Sequence, residues 1–454
     1  MMIYRVFPLS FLLLGLLLPL CAVSQRAAAQ PATDSLSPIP FAKPIVDTLS
    51  SPAFAGRGYL NDADGKAADY IENYFKRIGL SPISDTYQQP FPLTVDVYPT
   101  TPTLSLGLRK LDLGHDYLPF PGSSSGTATT ARIVEVGDGL FVPNTKYNNY
   151  AGKNVEQAVV VMDLEITPDV LQAIRADSTI NPALAQTTGR IEIARYLGAV
   201  AVILRTSNNL LDFYTPVNTG IPAFVVADQV WLENGAATAS FTLETTLDWQ
   251  TTSSNVIGYI PGTTTPEEYY FISAHYDHMG QLGPDHYFPG ANDNASGVAL
   301  TLALAAYFQQ KPLKRSLVFV GFSGEEEGLI GSRYFVDNPP LPLESIRFLV
   351  NLDMVASGSQ GIMAVGGSDF NDEFDLLASV GDTLNIGPIG KRPNAPISDH
   401  YFFLNAGVRG FFLYTNKGDQ PYHHPEDVAA TLDWQDFADT YALVRTFLMK
   451  LDKQ

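Results

Sequence analysis

Cysteine is almost absent. Its single occurrence, Cys21, falls inside an apolar run near the N-terminus. Without that run the chain has no thiol, which excludes disulfides, a cysteine nucleophile and a thiolate metal site. Any metal must be held by His and carboxylates. Charge is sparse as well, at 17% of residues, and the basic sign is the scarcer: 28 Lys and Arg stand against 47 Asp and Glu, a formal net charge of -19. So acidic a chain is poorly suited to nucleic acid or anionic membrane as partners. It suits metal cations and substrates that carry a positive amine. Internal repeats and low-complexity tracts are missing outside the termini, and a hydrophobic content of 45% with 11% aromatics describes a globular chain.

Long apolar runs are also missing, with one exception. Arg5 precedes a run from Phe7 to Val23, and small residues follow at Ala22 to Ser24 and Ala27 to Ala29. This is the charged, apolar and small-residue succession of a secretory signal peptide spanning residues 1–29, cleaved after Ser24 or Ala29. Export to the periplasm or the extracellular space is expected, with no stable membrane insertion afterwards. Leu20 is larger than the small residue favoured before a lipid-modified cysteine, so no anchor is expected at Cys21.

At 454 residues the chain exceeds one ordinary core. Residues 30–44 read as a Pro, Ser and Ala-rich tail, and SPAFAGRGYL at 51–60 as a Gly-punctuated loop. DADGKAADYIENYFKRIGL is an amphipathic helix, with Ala67, Ala68, Ile71, Tyr74, Phe75 and Ile78 near one face and Gly79 as its C-cap. Residues 30–114 are expected to form the N-terminal part of a main domain. From 115 to 250 the texture changes to short strands (around 131, 156, 199 and 221) with a helix at 189, and no cluster of ligand-type residues. This is expected to be an inserted, small β-rich accessory domain. Residues 251–454 resume a pattern of apolar strands, EYYFISA (268–274), SLVFVGF (316–322), IRFLVNL (346–352) and VRGFFLY (408–414). Helical patterns alternate with them at 295–310, 371–384 and 434–451. Strands buried on both faces and alternating with helices predict an α/β domain, a mixed central sheet flanked by helices.

Those strands end in polar residues. His275 and Asp277 follow the first, Glu325, Glu326 and Glu327 the second, and Asp353 the third. Beyond the fourth stand His423, His424 and Asp427. Ligands of open α/β sheets bind outside the carboxyl ends of the strands, so four strands converge on one crevice. Asp293, in GANDNASG, precedes a helix starting near Ala295; Asn294 can cap that helix and free Asp293 for the crevice. Of seven histidines only His115 lies outside 275–424. His115, His278 and His286 read as packing residues, whereas Asp277 can orient His275 or its neighbours. Adjacent glutamates can divide the labour of a hydrolytic metal site, one holding the ion and one serving as general base. The mixture of His and carboxylates suits catalytic zinc, with manganese or cobalt as alternatives. Asp399 and His400, in SDHYFF, are read either as substrate contacts or as a helix start.

The order HxD, GAxDNASG, EE, LDM and HxPxD resembles the co-catalytic di-zinc aminopeptidase family, which includes bacterial leucyl aminopeptidases, glutamate carboxypeptidase and, more distantly, glutaminyl cyclase. The resemblance implies two zinc ions per chain. His275 and Asp353 would hold one, Glu326 and His423 the other, with Asp293 bridging, Glu325 as general base and Asp277 as the acid behind His275. The role of His424 is not defined by it. It further implies a hydrolase that removes N-terminal residues from peptides with a free N-terminus. A carboxypeptidase or dipeptidase of the same fold is the alternative, and would need a cation such as Lys391, Arg392 or Arg409 for the substrate carboxylate. A glutaminyl cyclase or a receptor-like binding protein is disfavoured by the full ligand set. The segments AGKNVEQAVVVMD and ARYLGAVAVILRTS make the insert similar to a protease-associated domain.

Overall fold

Apolar runs rich in Val, Ile and Phe, too short for helices, become strands with both faces buried. A computed structural model describes residues 37–454, apart from 143–144, 177–180, 209, 211–217, 359–360 and 417–420. The expected signal peptide and Cys21 lie outside the described residues. The strands form two eight-stranded sheets. The first joins β1 (Gln88–Val97) to seven later strands. The second holds β2 (Thr103–Leu106), β3 (Arg109–Lys110), β4 (Tyr117–Pro119), β5 (Gly126–Glu135), β6 (Val159–Asp163), β7 (Ala201–Thr206), β8 (Ala223–Ala227) and β9 (Thr238–Leu243). The chain then returns to the first sheet through β10 (Thr246–Ile260), β11 (Thr265–His275), β12 (Arg315–Phe322), β13 (Ile346–Leu352), β14 (Ile362–Val365), β15 (Ile389–Arg392) and β16 (Gly410–Thr415).

The first sheet runs β1-β10-β12-β11-β13-β16-β14-β15. Its four central strands are mutually parallel, while β10 and β14 run antiparallel to their central neighbours. From β11 the chain moves first to β12 on one side and then to β13 on the other. That reversal opens a crevice at the carboxyl ends. One face of the sheet is covered by α1 (Ile39–Leu49), α2 (Ala63–Ile78), α6 (Gly297–Gln310), α8 (Asn371–Leu384) and α10 (Trp434–Leu451). The other face, with Phe271, Val318, Val320 and Phe322, packs against Phe335 of α7 (Ile330–Asp337) and Phe403 of α9 (His400–Asn405). The expected α2 is present, with Ala67, Ala68, Ile71 and Phe75 buried and Gly79 closing it at φ +93°.

One expectation is corrected. Residues 30–44 are not all tail: α1 begins at Ile39 and buries Ala42, Ile45, Val46 and Leu49 in the core. Pro40 sits in its first turn, where a missing N–H costs nothing, so proline content misled the reading. The accessory region is β-rich as expected, with helices between its strands. Its β5, β6, β7 and β8 are parallel, and parallel neighbours require crossovers. These bring in α3 (Pro168–Ala176) and α4 (Thr187–Tyr196), and α5 (Asp228–Asn234) follows β8. The strands of the second sheet run from residue 103 to 243, with Leu104 opposite Phe241, so β2 and β3 stand in it, N-terminal to residue 115. Its core also receives Leu282 and Phe288 from the loop that follows β11. Among the described residues no helix is long and apolar enough to cross a membrane.

Candidate metal centre

The carboxyl ends of the parallel strands deliver the side chains. His275 is the last residue of β11, Glu325 and Glu326 follow β12, Asp353 follows β13, and His423 lies on the loop after β16. Asp293 comes from a single irregular turn, Ala291–Ser296, that leads into α6. The Asp293–Asn294 peptide is cis. Asn294 accepts from the Gly297 N–H at 2.9 Å and donates to the Leu352 carbonyl at 2.9 Å. Capping is therefore done by Asn294, and the Asp293 carboxylate faces the crevice.

There its two oxygens diverge. Oδ1 lies 3.3 Å from His275 Nε2, while Oδ2 lies 3.3 Å from His423 Nε2. His275 Nε2 is also 3.2 Å from Asp353 Oδ1, and His423 Nε2 is 3.0 Å from Glu326 Oε2. Donor atoms around a tetrahedral ion with bonds of about 2.0 Å stand about 3.3 Å apart. Each histidine with its carboxylates matches that spacing, and the oxygen and nitrogen donors match the chemistry. Two groups of three or more ligand-type side chains share Asp293: one holds His275 and Asp353, the other His278, Glu326 and His423.

The electrostatics call for cations. Burial disfavours the charged form of His423, yet Glu326 and Asp293 raise its pKa to about 10. Glu325 is 1% exposed, and its Oε1 is buried without a hydrogen-bond partner. Burial raises its carboxyl well above the usual range, His275 opposes the rise, and Asp353 and Glu326 add to it. Buried imidazoles and carboxylates gathered at these spacings, with the acids raising the histidine pKa, are a donor set that fits metal ions.

Hydrogen bonds behind these residues hold them. Asp277 accepts the Tyr59 hydroxyl at 2.8 Å and the N–H groups of Glu325 and Glu326 at 3.3 Å each. His275 Nδ1 meets the Asp277 carbonyl at 3.2 Å, and the Asp277 carboxylate stands farther off, at 3.7 Å. The side chain of Asp277 thus fixes the glutamate turn more directly than it fixes His275. Asp427 accepts from the N–H groups of Asn292 and Asp293 at 2.8 and 3.0 Å, and Asp353 Oδ2 accepts from Ser398 at 2.9 Å. Arg57 is fully buried and donates to the carbonyls of Leu49, Tyr276, Pro289, Gly290 and Asp293. Burial lowers its pKa to about 10, so it stays charged at neutral pH.

Several residues depart from the sequence reading. His278 is not a mere packing residue: its Nδ1 is 2.7 Å from Glu326 Oε1. Its place three residues after His275, on the same strand-end loop, was the available signal. His115 stacks edge-on against His424 at 4.4 Å between ring centroids. Asp399 and His400 are fully buried and line no described cavity beside the cluster. Asp399 precedes α9 without a capping hydrogen bond, and the His400 ring packs on Phe412 at 5.2 Å. Tyr422, which the sequence did not single out, lies flat against His423 at 3.9 Å. A cavity of about 470 Å³ opens on His275, Asp293, Glu325, Asp353 and His423, with Met354, Ile397, Phe412, Tyr414 and Tyr422 as its other wall.

Residues 255–448 match the profile of peptidase family M28. That stretch, somewhat under half of the chain, is similar to the peptidases of this family. Among curated relatives, aminopeptidase YwaD of Bacillus subtilis is 29% identical over 255 residues, covering 52% of this chain and 53% of that protein. A probable zinc metalloprotease of Pyricularia oryzae is 27% identical over 218 residues, covering 40% of this chain and 43% of that one. The matches thus span about half the length of these relatives or less. Among solved structures, the peptidase M28 precursor of Shewanella amazonensis superposes with a TM-score of 0.67 at 20% identity, over 91% of this chain and 93% of that one. The zinc aminopeptidase BSAP of Bacillus subtilis gives 0.66 at 20% identity, over 91% and 95%. At these identities the likeness establishes the fold: this chain shares the mixed α/β architecture of those structures.

Proposed function

We propose that this chain is an exported, zinc-dependent aminopeptidase of the M28 type that binds two ions and removes N-terminal residues from peptides. One observation carries the reading: the two oxygens of Asp293 face two different histidine–carboxylate pairs, His275 with Asp353 and His423 with Glu326. Those five side chains would hold the pair. When bound, zinc supplies a Lewis acid for the scissile carbonyl and a lowered pKa for water.

Glu325 is the general base. Glu325 lines the cavity and has one buried oxygen without a hydrogen-bond partner, and a raised carboxyl pKa suits a group that must take and return a proton near neutral pH. It takes the proton of the attacking water and delivers it to the amide nitrogen as the C–N bond breaks, so the departing peptide leaves as a neutral amine. Asp277 keeps the glutamate turn in place. Met354, Ile397, Phe412 and Tyr414 favour an apolar N-terminal side chain in the cavity. Among the described residues no Lys or Arg lines it. Lys391 donates to Asn371, Arg409 forks onto Glu373, and Arg392 reaches only the Tyr414 hydroxyl at 3.4 Å. That distribution favours recognition of an amine over a terminal carboxylate. The second sheet and its helices are taken as a protease-associated-type insert.

Dipeptides with free and N-blocked termini test the reading. Free substrates with apolar first residues should turn over and blocked ones should not. Equal cleavage of both, or preference for a free carboxyl terminus, would overturn it.

A further inference from the structure

Glu326 divides its oxygens as Asp293 does. Oε2 faces His423 at 3.0 Å, within the ligand cluster, while Oε1 is 2.7 Å from His278 Nδ1. The other nitrogen of that ring, Nε2, is buried and makes no hydrogen bond. The ring's proton therefore belongs on Nδ1, where a carboxylate accepts it. His278 is 1% exposed and lies edge-on to the His423 ring, with centroids 5.7 Å apart. Its Nδ1 stands 3.7 Å from Asp293 Oδ2, beyond hydrogen-bonding range. The contact with Glu326 is thus the ring's one close polar engagement among those described.

We infer that His278 is a positioning residue for the second metal site. It ties up one oxygen of Glu326, so that the carboxylate presents a single oxygen, Oε2, beside His423 and Asp293. This rests on the two-ion reading above and extends it to a residue outside the five ligands. A flexible glutamate free at both oxygens has rotamers that leave the cluster; a buried donor on Oε1 removes them before the ion arrives. The first site is built in the same manner, with Ser398 on the Oδ2 of Asp353.

Three variants separate the possibilities: Asn places a donor near Nδ1, Gln near Nε2, and Ala neither. Each apoprotein is reloaded with zinc, and bound zinc is measured by elemental analysis against a competing chelator. H278N should keep both ions, whereas H278Q and H278A should bind one of the two about 10- to 100-fold more weakly, as losses behind a ligand typically do. The other ion should be unaffected. Equal loss in all three variants would overturn the inference in favour of direct ligation or plain packing, and no loss in any would remove the role. Should H278A fail to fold, the contrast between H278N and H278Q decides. Wild-type protein that takes up fewer than two ions would count against the two-ion reading itself, whereas two ions with a different variant pattern would count against His278 alone.

Discussion

Asp293 and Glu325 lie in one cavity, yet their losses should differ in kind. Glu325→Gln is expected to keep the metal content and lower kcat by about 10²- to 10⁴-fold, the usual worth of a positioned base. Asp293→Ala is expected to weaken both ions, because both histidine pairs lose their shared oxygen donor. Elemental analysis beside kcat distinguishes them, and an Asp293→Ala protein retaining two ions would contradict a shared carboxylate. At this scale residue type was legible, because a His or acid directly after an apolar strand has few structural reasons to be there. Atom pairing was not. Nothing local in HYDH tells that His278 turns to Glu326, or that Asp277 serves the backbone of the glutamate turn more closely than it serves His275. Arg57 stands in the Gly-punctuated loop at 51–60 with nothing local to mark it, and its five carbonyl acceptors come from three separate stretches of chain.

Elements were read well where the pattern was long. The predicted helices at 371–384 and 434–451 match α8 and α10 residue for residue, and the four central strands differ only at their ends. Short or polar strands such as β14 and β15 carry too few apolar residues to announce themselves. The junction between the Asp293 turn and α6 is the most constrained element. A Cβ on Gly297 would stand 2.2 Å from Asn294 Oδ1 and 2.5 Å from the Leu352 carbonyl. The glycine lets the helix start abut the end of β13. Gly297→Ala, ordinarily neutral or favourable in a helix, should here cost roughly 1–3 kcal/mol as overpacking does, and weaken metal uptake by displacing Asp293. Thermal unfolding and zinc titration report the two effects, and a more stable variant with normal zinc uptake would refute the constraint.

For the whole molecule, metal and fold should be linked. Removing the ions leaves Asp293, Glu325, Glu326 and Asp353 facing one another, so chelation is expected to lower Tm and excess zinc to restore it in a concentration-dependent way. A Tm indifferent to chelator would mean that the folded state has no preference for the ion. A second handle is Asp64 in α2, whose pKa is raised by burial to about 6 against the hydrogen bond from Ser253. The unfolded chain releases this proton near pH 4 and the folded chain near pH 6, so the folded state holds the extra proton between them. Its contribution to stability falls as pH rises through that window. Asp64→Asn should therefore gain stability relative to the native chain between pH 4 and pH 7, by at most about 3 kcal/mol, as read by denaturant unfolding at each pH. The opposite trend would show Asp64 to be stabilised as a carboxylate. By itself the sequence determined which His and acidic residues follow the strands and the alternation of strand and helix, because both are written in runs of a few residues. It also determined that no thiol takes part in the described chain. Only the tertiary structure decided that β11 lies between β12 and β13, which oxygen of each carboxylate meets which imidazole, and that the loop after β11 reaches into the core of the second sheet. Strand order and side-chain direction are set by packing among distant segments, and no local pattern records them.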